Sequence, residues 1–324
     1  MQYDLQSFMQ KARNIWIFGP VNMDVMVRPV DPGMLFAGSA PVEDIGIFFG
    51  GDALNEAVIL HRLGASVSLV SEIGQDAAGD QLAGFLEQEG ISAGGIVRRE
   101  GVATSINIVM VDSAGERYFL TNPHGSMRQI TGETYMARLD DAGDLVCFPG
   151  MFVSPRMDIP AMERIFRAAK ARPGRILAAD MTRAKNGETL ADLRNVLPLV
   201  DYLFPNEEEI AVLTGEKDPE VNARLLTEAG VGCAVIKRGA KGCLIATKDR
   251  RIPVPAWPLG RATDTTGAGD SFVAGFLYAL AGGMDLADCG RFANAVASCI
   301  AETFGANAGL RSPEAALERF RQMV

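Results

Sequence analysis

A chain of 324 residues with 48% hydrophobic content is long enough to bury one large core, or a core with a small appendage. Its net charge of −9 argues against nucleic acid as the main partner, because gripping a phosphate backbone needs clustered Lys and Arg. Five cysteines, at 147, 233, 243, 289 and 299, form no Cys-x-x-Cys pair and lie in apolar runs, so they read as small core residues rather than a disulfide framework or zinc site.

The opening stretch, MQYDLQSFMQKARN, lacks the long apolar segment of a signal peptide. No uninterrupted apolar run of about 20 residues suggests a membrane span, so a cytoplasmic protein with no membrane partner is expected. Ile15–Gly19 reads as a strand, Ala53–Leu63 as a helix stopped by Gly64, Ser66–Ser71 as a strand, and Asp76–Glu89 as a helix stopped by Gly90. Asp144–Phe148, Arg175–Ala179, Asp201–Phe204 and Cys233–Lys237 are strand-like, with helical stretches between them. Strands alternating with helices predict an α/β fold, a largely parallel sheet covered on both faces. From Gly269 onward the pattern is mainly helical. Two stretches break the rhythm: Asp24–Phe49 shows no convincing helix, and Thr104–Thr121 reads as two strands joined near Ser113–Gly115. Together they predict a small second sheet.

The sharpest local signal is Asp264-Thr265-Thr266-Gly267-Ala268-Gly269-Asp270, running into the apolar stretch SFVAGFLYAL. Small residues at a helix start let backbone N–H groups converge on an anion, aided by the helix dipole. A carboxylate at Asp270 beside such a hole can take a proton from an attacking hydroxyl. Taken alone, an ordinary glycine turn with Asp270 as a cap fits equally well. Gly50-Gly51-Asp52-Ala53-Leu54-Asn55 offers close backbone approach and polar groups suited to sugar hydroxyls, or simply a capped turn. Asp24 lies just beyond the first strand, where open α/β sheets place ligands. Asn206 and Glu209 share a helix face that can hold hydrated Mg2+, although an N-cap Asn followed by first-turn acids explains them too. No G-x-x-x-x-G-K-[ST] and no G-x-G-x-x-G occurs, which counts against Walker-type ATPases and dinucleotide oxidoreductases. Two histidines, His61 and His124, leave little room for a Ser-His-Asp hydrolase.

Taken jointly, the glycine-rich segment from Gly50 to Ala57 with Gly64 and Gly74, and the segment from Asp264 to Asp270 continuing through Leu277, resemble the two signatures of the ribokinase-like (PfkB) carbohydrate kinases. The resemblance runs from Asn22 to Gly309. It implies a ribokinase-like central, mostly parallel sheet of about nine strands, helices on both faces, and a small β-sheet lid that often clasps a dimer. The body would comprise residues 1–23, 50–103 and 122–324, and the lid 24–49 and 104–121. The implied activity is ATP-dependent phosphorylation of a hydroxyl on a small sugar, with Asp270 as base and an anion hole at Gly267, Ala268, Gly269 and the Asp270 amide. Asp24, Gly51, Asp52 and Asn55 fall at sugar-contacting positions. Asn206, Lys237, Gly239, Gly242, Asn294 and Arg183 fall at ATP-binding positions, and Glu209 at the Mg2+ element. Many relatives also use a monovalent cation, which here implies a K+ shell of Asp264 with carbonyls of Thr266, Ile300, Thr303 and Gly305. Gly309 stands where ribokinase carries a hydroxyl residue near that shell. Asp52 replaces a frequent Lys and Val153 a sugar-binding Glu, which points away from ribose and from phosphosugars. A nucleoside kinase, or a catalytically silent sugar- or nucleotide-binding regulator on the same fold, shares the signatures.

Overall fold

Alternation along Ile15–Phe18 (β1) sends Ile15 and Ile17 to one face and Trp16 and Phe18 to the other, so each face feeds its own hydrophobic layer. In this computed structural model, which describes residues 14–259, 262–303 and 305–323, β1 lies deep within a nine-stranded sheet. The amino-terminal stretch discussed above falls outside the described residues, apart from Asn14.

Following the chain, Asn22–Val30 (β2) and Asp44–Gly50 (β3) leave the main sheet before Asp52–Arg62 (α1) returns to it. Val67–Gly74 (β4), Ala77–Gln88 (α2) and Ile96–Arg99 (β5) complete one wing. Ile106–Asp112 (β6) and Arg117–Thr121 (β7) join β2 and β3 in a separate four-stranded sheet of order β3-β2-β6-β7. The body resumes with Gly132–Leu139 (α3), Leu145–Met151 (β8), Ile159–Lys170 (α4), Ile176–Met181 (β9) and Tyr202–Phe204 (β10). Glu207–Thr214 (α5), Pro219–Glu228 (α6), Cys233–Lys237 (β11), Cys243–Ala246 (β12) and Arg251–Val254 (β13) follow. Ala268–Ala281 (α7), Leu286–Ala301 (α8) and Glu314–Met323 (α9) close the chain.

The large sheet has the order β13-β12-β11-β10-β9-β8-β1-β4-β5. Its pairings are parallel from β5 through β11, and β12 and β13 add an antiparallel edge. On one face α1, α2, α7, α8 and α9 pack over Ile15, Ile17, Leu69 and Cys147. On the other, α3, α4, α5 and α6 cover Phe18, Val146, Phe148 and Leu177, with Phe18 stacked on Phe148 at 5.1 Å. All five cysteines are buried and unpaired. β5 and the β12–β13 hairpin, both made of four-residue strands, carry no strand signal of their own in the sequence. Among the described residues, no helix is long and apolar enough to cross a membrane.

Parallel strands share one carboxyl end. Asp180 near the end of β9, Asn206 just past β10 and Lys237 closing β11 therefore emerge together, and Asn206 bridges Lys237.

Candidate active site

Helix α7 is capped by Gly267, whose φ of 70° is left-handed and whose Cα lies so close to Ala306 that an added Cβ would stand 2.0 Å from the Ala306 carbonyl oxygen. That contact fixes the turn from which the first amides of the helix project. The Ala268 amide donates to Thr265 O at 3.2 Å, whereas among the described residues the Gly269 and Asp270 amides take no backbone acceptor. They are the donors left for an anion. Asp270, in the first turn, accepts a 2.7 Å hydrogen bond from Asn55 Nδ2. Asn55 Oδ1 in turn accepts from Asn307 Nδ2 at 3.3 Å, and Asn307 also donates to the Phe49 carbonyl. Asn307, absent from the sequence reading, thus ties the loop after α8 to the start of α1. Its only signal was a polar residue inside the small-residue run Gly305–Gly309.

The amino-terminal glycines serve close approach. Gly51 has φ 93°, and a Cβ there would sit 2.6 Å from Pro20 O, while one on Gly50 would meet Asp24 Oδ2 at 2.9 Å. Asp24 Oδ1 accepts from Asn22 Nδ2 at 2.6 Å and from Asn107 Nδ2 at 2.9 Å. Burial pushes the Asp24 carboxyl up despite these two donors. A cavity of about 220 Å3 opens beside it, bounded by Met26, Phe48, Phe49, Phe119, Thr266 and Asn307.

Lys237 Nζ binds both oxygens of Asp180, at 2.8 and 2.7 Å. Burial works against the ammonium, but Asp180 and Glu209 outweigh it and hold the Lys237 pKa above its usual value. Around this cation stand more carboxylates than it can neutralise. Burial and then Asp52 push Asp270 up to about 8, even though Asn55 opposes them. Burial and Asp180 push Asp52 up to about 6. Burial also carries Glu209 up to about 7, with Asp180 adding to it and Lys237 opposing. Glu56, fully buried, is held well above the carboxylate range by burial and by Asp180 and Asp270.

Asn206 and Glu209 form a reciprocal capping box: Glu209 N donates to Asn206 Oδ1 at 2.8 Å and Asn206 N donates to Glu209 Oε2 at 2.7 Å. The capping alternative open at the sequence level is therefore realised. Among the described residues no three His, Cys, Asp or Glu side chains converge as a ready metal cage. A divalent ion here would have to keep waters and take phosphate oxygens, as Mg2+ does, with Glu209 and the surplus carboxylates supplying the field. Gly239 and Gly242 both have positive φ in the turn after β11, and a Cβ on Gly242 would lie 2.0 Å from Val254 O. Asn294 Nδ2 donates to Pro255 O at 2.9 Å, and Arg183 stands exposed just past β9. Neither contacts Asp270 through a hydrogen bond among the described residues. Asp264 accepts from Thr266 N at 2.7 Å, from Gly305 N at 3.1 Å and from the Arg117 guanidinium.

Residues 12–313 match the pfkB family carbohydrate kinase profile. A protein named uncharacterized sugar kinase from Archaeoglobus fulgidus is 32% identical over 256 residues, covering 78% of this chain and 97% of its own. A nucleoside kinase of Methanothermobacter thermautotrophicus is 30% identical over 283 residues, 84% of each chain. The crystal structure of a putative ribokinase II from E. coli, in complex with ATP and Mg2+, superposes with a TM-score of 0.79 at 22% identity, covering 95% of this chain and 99% of that one. The chain belongs to the pfkB family of carbohydrate kinases and has the ribokinase fold. It is a carbohydrate kinase, an ATP-binding transferase with an alcohol group as acceptor.

Proposed function

We propose that this enzyme transfers the γ-phosphoryl of ATP to a hydroxyl of a small sugar or sugar derivative, with Asp270 as the general base. The observation that carries the reading is the placement of the Asp270 carboxylate and of unengaged Gly269 and Asp270 amides on the first turn of one helix. One group removes the acceptor's proton while the neighbouring dipoles stabilise charge on the migrating phosphoryl. Gly267 sets the turn, and Asn55 holds the carboxylate toward the acceptor side, where Asp24, Asn107 and the cavity beneath the small sheet lie. Gly51 and Asp52 complete the acceptor side, and a negative Asp52 disfavours acceptors that already bear phosphate. Bound Mg2+ supplies neutralising charge between the ATP phosphates. Glu209 and Asp180 would hold the hydrated ion, and Lys237 faces Gly269, whose ideal Cβ would lie 3.6 Å from Nζ. Asn206, Gly239, Gly242 and Asn294 border the ATP side, with Arg183 reaching in when phosphates arrive.

The small sheet, residues 24–49 and 104–121, acts as the lid over the acceptor. Ile45, Ile47, Ile108, Tyr118, Phe119 and Leu120 are exposed on it, an apolar surface suited to pairing with a second copy in a dimer. The aromatic lining of the cavity also favours a second reading, a nucleoside acceptor whose base stacks on Phe48 or Phe119. Coupled ADP release across hexoses, pentoses, sugar acids and nucleosides tests both readings. Turnover of a sugar supports the first, and turnover of nucleosides alone supports the second. No ADP from any acceptor, with ATP bound, would favour a silent binding protein.

A further inference from the structure

Asp264 is buried, with its side chain 1% exposed, and a carboxylate there requires a countercharge. The residues around it do not fit K+. Its two oxygens already accept from Thr266 N and Gly305 N and pair with the Arg117 guanidinium. The Ile300 carbonyl is engaged twice, by the amides of Glu302 and Thr303. No hydroxyl side chain can replace Gly309 without backbone movement, because a Cβ there would stand 2.2 Å from Cys299 O. A monovalent ion added to this carboxylate would face a like charge at close range.

We propose that the Arg117 guanidinium is the built-in cation of Asp264 and makes the 264–270 loop independent of K+. Arg117 opens β7 at the edge of the small sheet, 147 residues from its partner in sequence. Asp264 passes the constraint on through Thr266 N to the turn at Gly267, from which the anion-binding amides project. Arg117 is a positioning residue, and the seating of the small sheet over the site brings the charge that orders the loop. The inference rests on the anion-hole reading above, but its central claim, which cation neutralises Asp264, can be read without turnover.

Wild type, Arg117→Met and Arg117→Lys would be compared in potassium chloride and in choline chloride at equal ionic strength, by thermal denaturation and by initial rate. The wild type should show the same melting temperature and rate in both salts. Arg117→Met should lose roughly tenfold in kcat with a smaller change in KM, regain part of it on adding guanidinium or K+, and become K+-stabilised. Arg117→Lys should retain most of the function. A wild type stabilised or stimulated specifically by K+ overturns the proposal. So does an Arg117→Met enzyme as fast as wild type in choline, or a loss that neither guanidinium nor the Lys variant relieves. If no acceptor is turned over, or if the Met variant does not fold, the wild-type melting comparison decides alone.

Discussion

Asn55 and Asp270 lie 215 residues apart and meet through a 2.7 Å hydrogen bond, joining the two glycine-rich segments into one site. The bond comes from the first turn of α1 to the first turn of α7, so two helix amino termini face the same point. Replacing Asp270 by Asn keeps shape and removes the base. Turnover should fall by about 10²–10⁴, with ATP still binding by calorimetry; near-normal turnover would remove Asp270 from the role of base.

Gly267 is constrained twice, by its left-handed backbone and by Ala306 O. Gly267→Ala should displace the turn and weaken the anion site, lowering kcat by about a hundredfold or more. The melting temperature should fall too, since backbone strain of this kind costs about 1–3 kcal/mol. Unchanged kcat alongside a lower melting temperature would show the glycine to be structural only.

The Asp180–Lys237 pair is nearly dry, with side chains 6% and 12% exposed. Lys237→Met strands a buried carboxylate and should cost about 3–5 kcal/mol in chemical denaturation. The double variant with Asp180→Asn should recover much of that loss. Additive losses would mean that the two side chains do not compensate one another.

Proton uptake sets the pH behaviour of the free enzyme. Asp270 moves from an ordinary 3.8 to about 8 on folding, so the folded state binds the extra proton between those values. The stability this contributes is complete below about pH 4 and is lost as pH rises through about 8. Melting curves of the ligand-free protein should therefore decline across that window, less steeply in Asp270→Asn. Conversely, kcat/KM should rise as Asp270 ionises on approach to pH 8. A flat kcat/KM profile from pH 6 to 9 would contradict the assignment, since a carboxyl that titrates at about 8 changes its ionised fraction roughly a hundredfold across that range.

How much of this was legible in the sequence follows from how local each cause is. Gly51 and Gly267 have left-handed backbones pressed against neighbouring carbonyls, so the glycine-rich segments around them mark turns at helix starts from sequence alone, whereas their joining into one pocket shows only in the fold. Cys233–Lys237 was delimited correctly because a short apolar run between Gly232 and Arg238 admits little else. The β12–β13 hairpin was passed over because Cys243–Ala246 is apolar throughout and Pro253 interrupts its partner, so only pairing in the folded sheet defines it. Lys237 was read as part of a nucleotide loop, but its ion pair with Asp180 exists because β9 and β11 flank β10, a relation set by topology. Asn307 and Arg117 act across still longer separations, and neither carries a local mark of its partner.

The crowd of carboxylates around Lys237 has a calorimetric consequence. Asp270, Glu209 and Asp52 sit at about 8, 7 and 6, so near neutrality they share protons that incoming magnesium-nucleotide would displace. The heat of nucleotide binding should then vary with the ionisation enthalpy of the buffer. The slope of that plot counts the hydrogen ions expelled as the pocket fills.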